Sequence, residues 1–335
     1  MTTKKYATLI LIAAMALALT GSLMADSCKF QWKDTAGKYM DLEYGEKKVL
    51  RYMYEHNTST EDERLRTYKP FYHVFDLEGE NIITKGDGGR YTHHRGIFHG
   101  YKVYHNDTMY DFWHMKLGRK NKKDKVIGID QVHIKVLDKT NCTHTASLTS
   151  QINWVNQDGK VIVEEARKVT VSKDAKDGLV VIDVDSTLKA LAGDLKFSGD
   201  PEHAGLHFRA SNAVFESKNE ADKSMYLYND PGVLKNAKKS KRGYKFDTEL
   251  LDNNPWTAMT FGLNGKKYTV QHMNSKTNPK PYHYSAYRNY GRFGSFGEFE
   301  IKKDNTQNLS WRIIVEEDGN PQREVMQKRY QQFTK

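Results

Sequence analysis

Alternation of apolar and polar residues with a period of two runs through most of the chain, and that period belongs to strands rather than helices. Tyr39–Tyr44 and Lys48–Tyr54 alternate around Gly45, which predicts a hairpin. Phe71–Asp76 reads as a strand closed by a turn at Leu77–Glu80, and Lys125–Val136 as another. Strands over 144–154 and 161–171 flank the turn Asn156–Gly159, and Leu179–Leu188 follows the turn at Asp177-Gly178. The polar stretch Glu55–Arg66 reads as a surface loop. One helix is predicted, at the end, with Asn320 as cap, Pro321 in the first turn and Val325, Met326, Tyr330 and Phe333 as its apolar stripe. No repeat, low-complexity tract or linker interrupts residues 26–335. Closely spaced strands with turn signals between them predict an all-β fold, a large antiparallel β-sandwich in a single domain with a short C-terminal helix.

Charge on an otherwise apolar face carries more information than charge on a surface. In 161–171 the odd positions put Glu165 and Arg167 among Val161, Val163, Val169 and Val171. Such a pair is either mutually satisfied or lines a cavity, since burying a lone charge costs several kcal/mol. A structural ion pair and a catalytic role fit it equally well. In Leu206–Asn212, His207 and Arg209 share a face, with Glu202 and His203 just ahead. His272 shares a face with Tyr268 and Val270. The segment 278–293 is rich in proline and glycine and reads as an irregular loop. In it, Tyr282, Tyr284, Tyr287 and Tyr290 surround His283 and Arg288 like a sugar-binding surface.

Residues 88–114 hold five of the thirteen histidines: His93, His94, His99, His105 and His114. Arg90, Arg95, Asp107 and Asp111 lie among them, with Trp113 and other aromatic rings between. Imidazole is the side chain best suited to hold a transition metal or move a proton near neutral pH. Read as a strand, 92–99 puts His93, Arg95 and His99 on one face, with His93 and His99 about 20 Å apart unless a glycine bends the chain. No standard zinc spacing is present, and a histidine-rich strand making ordinary hydrogen bonds is the plainer reading.

Composition then narrows the setting. Lys4 and Lys5, the apolar Leu9–Leu19 and a small-residue stretch ending at Ala25 predict a signal peptide over 1–25, and hence a periplasmic or secreted protein. No later stretch is long and apolar enough to span a bilayer. An oxidising compartment would permit a disulfide between Cys28 and Cys142, but two cysteines are no disulfide framework. The formal charge is +10, much of it in Lys116–Lys125 and Lys235–Lys245. These runs lack interleaved aromatics and the chain reads as exported, so solvated loops, or mild attraction to an acidic polysaccharide or surface, fit better than nucleic-acid binding. Neither a phosphate-binding glycine loop nor a G-x-S-x-G elbow is present.

Taken together, Tyr68–His73, His93–Gly100, Asp111–His114, the Glu165/Arg167 strand, Gly205–Arg209 and the block of His283, Arg288, Gly291 and Phe293 resemble the PmoA-like family of exported bacterial proteins. The His-His-Arg-Gly and Asp-Phe-Trp-His motifs are the most specific part. The methane-oxygenase label attached to that family does not transfer, because such a subunit needs several membrane helices. What the resemblance implies is an all-β sandwich and a part in bacterial polysaccharide use. Arg90-Tyr91-Thr92 stands where such members often have Asp-His.

The expected activity is cleavage of a glycosidic or modified-sugar bond, by hydrolysis or β-elimination. His94 or His207 would be the base or acid, Glu165 its carboxylate partner, and Arg95 and Arg209 the holders of substrate or an oxyanion. Trp113, Asp111, His283, Tyr284, Arg288 and Tyr290 are candidate sugar contacts. His93, His99 and His114 are candidate ligands of a divalent metal ion. A non-catalytic glycan-binding sandwich is the competing class. A copper redox protein is a third reading, without a cysteine–methionine signature to support it.

Overall fold

The computed structural model describes residues 28–117, 129–174, 178–235, 237–245 and 248–335. The expected signal peptide and most of the Lys116–Lys125 run lie outside the described residues. Three antiparallel sheets carry the chain. The largest orders its ten strands as Phe30–Thr35, Tyr39–Tyr44, Lys47–Met53, Phe71–Val74, Ile97–Gly100, Gly205–Arg209, Arg292–Gly297, Tyr282–Arg288, Gly243–Lys245 and Lys238–Ser240. An eight-stranded sheet packs on it, with Thr306–Glu317, Leu179–Ala190, Val161–Asp174 and Thr145–Val155 side by side. A five-stranded sheet includes Leu195–Ser198, Lys102–His105, Thr108–Asp111 and Lys116–Leu117.

Period two sorts every strand between two faces. Leu50, Tyr72, Val74, Ile97, Leu206, Phe208 and Phe293 of the ten-stranded sheet meet Leu148, Val169, Val184, Phe261, Val270 and Ile313 of the eight-stranded sheet in one buried core. Phe208 and Phe261 touch across it, ring centres 6.3 Å apart. The residues between them in sequence must therefore point to the other side of the ten-stranded sheet. Phe71 and Phe98 do so, forming with Trp113 a small separate apolar cluster. His207 and Arg209 emerge on that same outer face, where the His207 ring lies 4.6 Å from Trp113.

Three local expectations need correction. The 278–293 segment is a hairpin of Tyr282–Arg288 and Arg292–Gly297, not an irregular loop. Its tyrosines fill buried positions, and Gly291, at φ +79°, makes the turn with a backbone that other residues rarely adopt. Glu55–Arg66 contains a helix, Glu61–Thr67, because the Thr60 hydroxyl caps it by accepting from the Glu63 N–H at 3.1 Å. The terminal helix is present but starts at Arg323, and Gln322 rather than Asn320 holds the cap position without a side-chain hydrogen bond. Met326 and Tyr330 seat it on Trp256, Ala258, Met273 and Ile314. No helix among the described residues is long and apolar enough to cross a membrane.

Candidate functional site

Three histidines converge over the outer face of the ten-stranded sheet. His93 lies in the turn before Ile97–Gly100, His114 in the turn after Thr108–Asp111, and His203 in the turn before Gly205–Arg209. One ring nitrogen from each lies within 4.8 Å of the other two. Aspartates hold two of the rings from behind: Asp111 Oδ2 is 2.9 Å from His114 Nδ1, and Asp200 Oδ1 is 2.7 Å from His203 Nδ1. The Asp111 carboxylate also accepts the backbone N–H groups of Trp113 and His114, which fixes the whole turn. Burial works to raise both carboxyls. The hydrogen bond and charge of the partnered histidine outweigh it, so both lie below the usual carboxylate range. His93 Nε2 is buried with no hydrogen-bond partner. Burial above all, and then the charge of His114, press the His93 pKa well below its ordinary value and keep its ring neutral. Three imidazoles with ring nitrogens this close, two of them oriented by carboxylates, are a donor set for a divalent transition ion.

A pocket of about 90 Å³ opens beside this trio, lined by Tyr91, His93, His94, Glu202, His203, Arg242, Arg288 and Tyr290. The His94 ring centre is 4.3 Å from that of His93. Its Nδ1 is buried and unpartnered, and burial above all, then the neighbouring positive charges, hold the ring neutral. Tyr91 and Tyr290 lie side by side, centres 5.0 Å apart. Glu202 accepts from Tyr287 and from Arg288 through both Nε and Nη2, and its second oxygen is 3.4 Å from Arg292 Nη2. Below them, Arg292 Nη1 lies 3.3 Å from His207 Nδ1. Arginine can only donate, so the His207 proton sits on Nε2, which is buried and unpartnered. Gly294 stands opposite His207 in the register, and a Cβ there would collide with the imidazole.

The fold thus gathers His93, His94, His114, Asp111, Trp113, His207, Arg209, Arg288 and Tyr290 on one face. Five expected site residues lie elsewhere. Glu165 is inside the sandwich, its oxygens taken up by Arg167 Nε and Nη2 at 2.8 and 2.7 Å, Trp154 Nε1 at 2.9 Å, Ser186 Oγ at 2.7 Å and His99 Nδ1 at 3.1 Å. His99 follows Ile97 by two positions and so points inward with it, away from His93. This is why His203 rather than His99 completes the trio. Arg95 turns back on its own loop, donating to the carbonyls of Thr92, His94 and Leu65, with its guanidinium over the Tyr68 ring. Tyr284 points into the core against His272. His283 pairs with Asp252 outside the pocket.

Glu202, His203, Asp200, Arg292, Tyr91 and Arg242 complete the site and were not singled out as site residues from the sequence. The Asp200-x-Glu-His203 spacing mirrors Asp111-x-x-His114, and that echo was the available signal.

The chain belongs to the family described as a family of unknown function, DUF6807, whose match covers residues 39–331. No curated protein matches it in sequence. Solved structures similar in shape include a heparan sulfate lyase HepC mutant from Pedobacter heparinus, 10% identical over 88% of this chain and 37% of that one, with a TM-score of 0.38. Another is the galactosidase domain of the alpha-galactosidase-sucrose kinase AgaSK, 9% identical over 86% of this chain and 41% of that one, TM-score 0.38. A third is a GalM/aldose epimerase homologue from C. elegans, 8% identical over 86% of this chain and 98% of that one, TM-score 0.31. This chain spans well under half the length of the first two.

Proposed function

We propose that this chain is a metal-dependent enzyme of exported bacterial carbohydrate metabolism, cleaving a sugar bond by acid–base chemistry. The observation that carries the reading is the trio His93, His114 and His203, backed by Asp111 and Asp200, at the edge of a pocket that also holds an unpartnered neutral imidazole, His94. His93, His114 and His203 would hold a divalent ion, which would supply Lewis acidity to the bound sugar. His94 accepts the proton released at the reacting carbon or water. His207, its Nε2–H directed by Arg292, donates toward developing negative charge. Tyr91 and Tyr290 offer ring faces to a sugar, and Glu202 with Arg288 offers polar contacts to its hydroxyls. The scheme with two free carboxylates finds little support, because Glu202 is neutralised by arginines and Glu165 lies in the core. The PmoA-like resemblance and the N-terminal pattern support the exported, polysaccharide-linked setting.

The test is metal analysis of the purified protein beside His93→Ala/His203→Ala, together with turnover of a glycoside and polysaccharide panel by wild type and His94→Gln. A stoichiometric divalent ion lost from the double variant is expected. Turnover should fall about 10²–10⁴-fold in His94→Gln, with the ion retained. Metal-free wild type under saturating zinc or manganese would sink the reading. Sugar binding without any product would replace it with a glycan-binding role.

A further inference from the structure

Three arginines stand in a row across neighbouring strands, and the outermost of them, Arg288, lines the pocket. Arg209 faces Arg292 in the register, and Arg292 faces Arg288. The guanidinium carbons of Arg209 and Arg292 lie 5.2 and 5.9 Å from the Tyr290 ring centre. A fourth, Arg242, stands at the pocket wall. Glu202 is the one carboxylate that pairs with this group among the described residues, and it serves Arg288 and Arg292. Arg209 has no acidic partner there. It is fully buried, its Nη1 donates to the Tyr290 and Ala210 carbonyls, and its Nε and Nη2 have no hydrogen-bond partner. Its charge is felt by His94, Tyr91 and Tyr290, all residues of the pocket.

A buried cation without a counter-charge is costly, and a fold keeps one where a ligand brings the missing charge. The two unsatisfied nitrogens are the Nε–Nη2 edge, the side of a guanidinium that takes the two oxygens of a planar carboxylate in parallel. We infer that the substrate is an acidic sugar, a uronate, whose carboxylate is received by the Nε–Nη2 edge of Arg209 while its ring lies against Tyr290. This deepens the proposed function and rests on it for the identity of the pocket as a sugar site. Lysine would restore the charge but not the fork.

Calorimetric titration of the zinc-loaded protein with D-glucuronate, D-glucose and D-glucose 6-sulfate tests it without requiring turnover. Glucuronate is expected to bind at least about ten-fold tighter than glucose. Arg209→Gln should weaken glucuronate by about ten- to a hundred-fold, with Arg209→Lys recovering only part, and leave glucose unchanged. Equal binding of glucose, no binding of glucuronate, or glucuronate affinity untouched in a folded Arg209→Gln protein would overturn the inference. Tighter binding of the sulfate ester than of glucuronate would overturn the carboxylate assignment. If Arg209→Gln does not fold, the glucuronate-to-glucose ratio of the wild type decides. Glucuronate binding without cleavage of any glycoside would count against the enzyme and leave the acidic-sugar site standing; cleavage of neutral glycosides alone would do the reverse.

Discussion

The imidazole of His99 crosses the sandwich to the carboxylate of Glu165, Nδ1 to Oε1 3.1 Å, with both side chains wholly buried. The contact joins the ten-stranded to the eight-stranded sheet, and Arg167 closes it with two short bonds to the same carboxylate. Burial alone would raise the Glu165 pKa. Arg167, and after it His99, hold it well below the usual range instead. Removing one member of a buried, satisfied ionic group leaves its partners unpaired. Glu165→Gln should therefore cost about 3–5 kcal/mol in denaturant unfolding, while the metal content of the protein that does fold stays that of wild type. An unchanged midpoint with lost turnover would return Glu165 to the catalytic list.

Acid should weaken the fold through histidines that are buried neutral. Burial, and then the charges of Arg51 and Arg95, push His73 down to about 4. Burial pushes His272 down to about 3, against the Leu206 carbonyl that favours its charged form. The unfolded chain takes up these protons from about pH 6.5 downward, whereas the folded chain does not. Stability is therefore whole above about pH 6.5 and declines as pH falls toward 4 and 3, by up to about 1.4 kcal/mol per unit for each histidine. Melting temperatures between pH 7.5 and 4.5 should trace this slope, and His272→Phe should flatten it. An equal slope in that variant would remove His272 from the account.

The aspartates behind the trio should matter to an ion without touching it. Asp111→Asn and Asp200→Asn should each weaken zinc binding about 10–100-fold in a chelator competition, with far-UV dichroism unchanged. Wild-type affinity in both variants would mean that the carboxylates only shape their turns.

Cys28 and Cys142 are exposed free thiols on neighbouring chain segments: Cys28 Sγ is 3.2 Å from the Asn141 carbonyl, and Phe30 N–H donates to Cys142 O. Mild oxidation should join them, abolish the thiol titre and raise stability by up to about 5 kcal/mol for a loop of this order of length. A persistent titre of two thiols after oxidation would show that the pair cannot close.

The sandwich was legible because strand periodicity is a local property of sequence, and Glu165 and Arg167 were placed inward by that rule alone. The site was half legible. His207 and Arg209 share a strand face that parity reveals, and Asp111–His114 is one turn. His203 joins them only through strand neighbours far apart in sequence, which no local pattern encodes. His99 failed for a related reason. The chain leaves the extended path around His93–Gly96 and enters a strand at Ile97, so parity counted from His93 does not carry across. The aromatic loop misled because proline and glycine at its ends hid the alternation of Tyr282 and Tyr284 inside.

His93, His114 and His203 sit in three separate turns, one bordering the ten-stranded sheet, one the five-stranded sheet and one running between them. An ion shared by them would act as a rivet between the two sheets. Every local opening of any one turn would then have to break coordination first, at about 2.7 kcal/mol when the ion is present at a hundred times its dissociation constant. Chelation would be felt as mechanical loosening before it was felt as lost chemistry, with amide exchange quickening together in the turns around 93, 114 and 203 while the sandwich core stays shut.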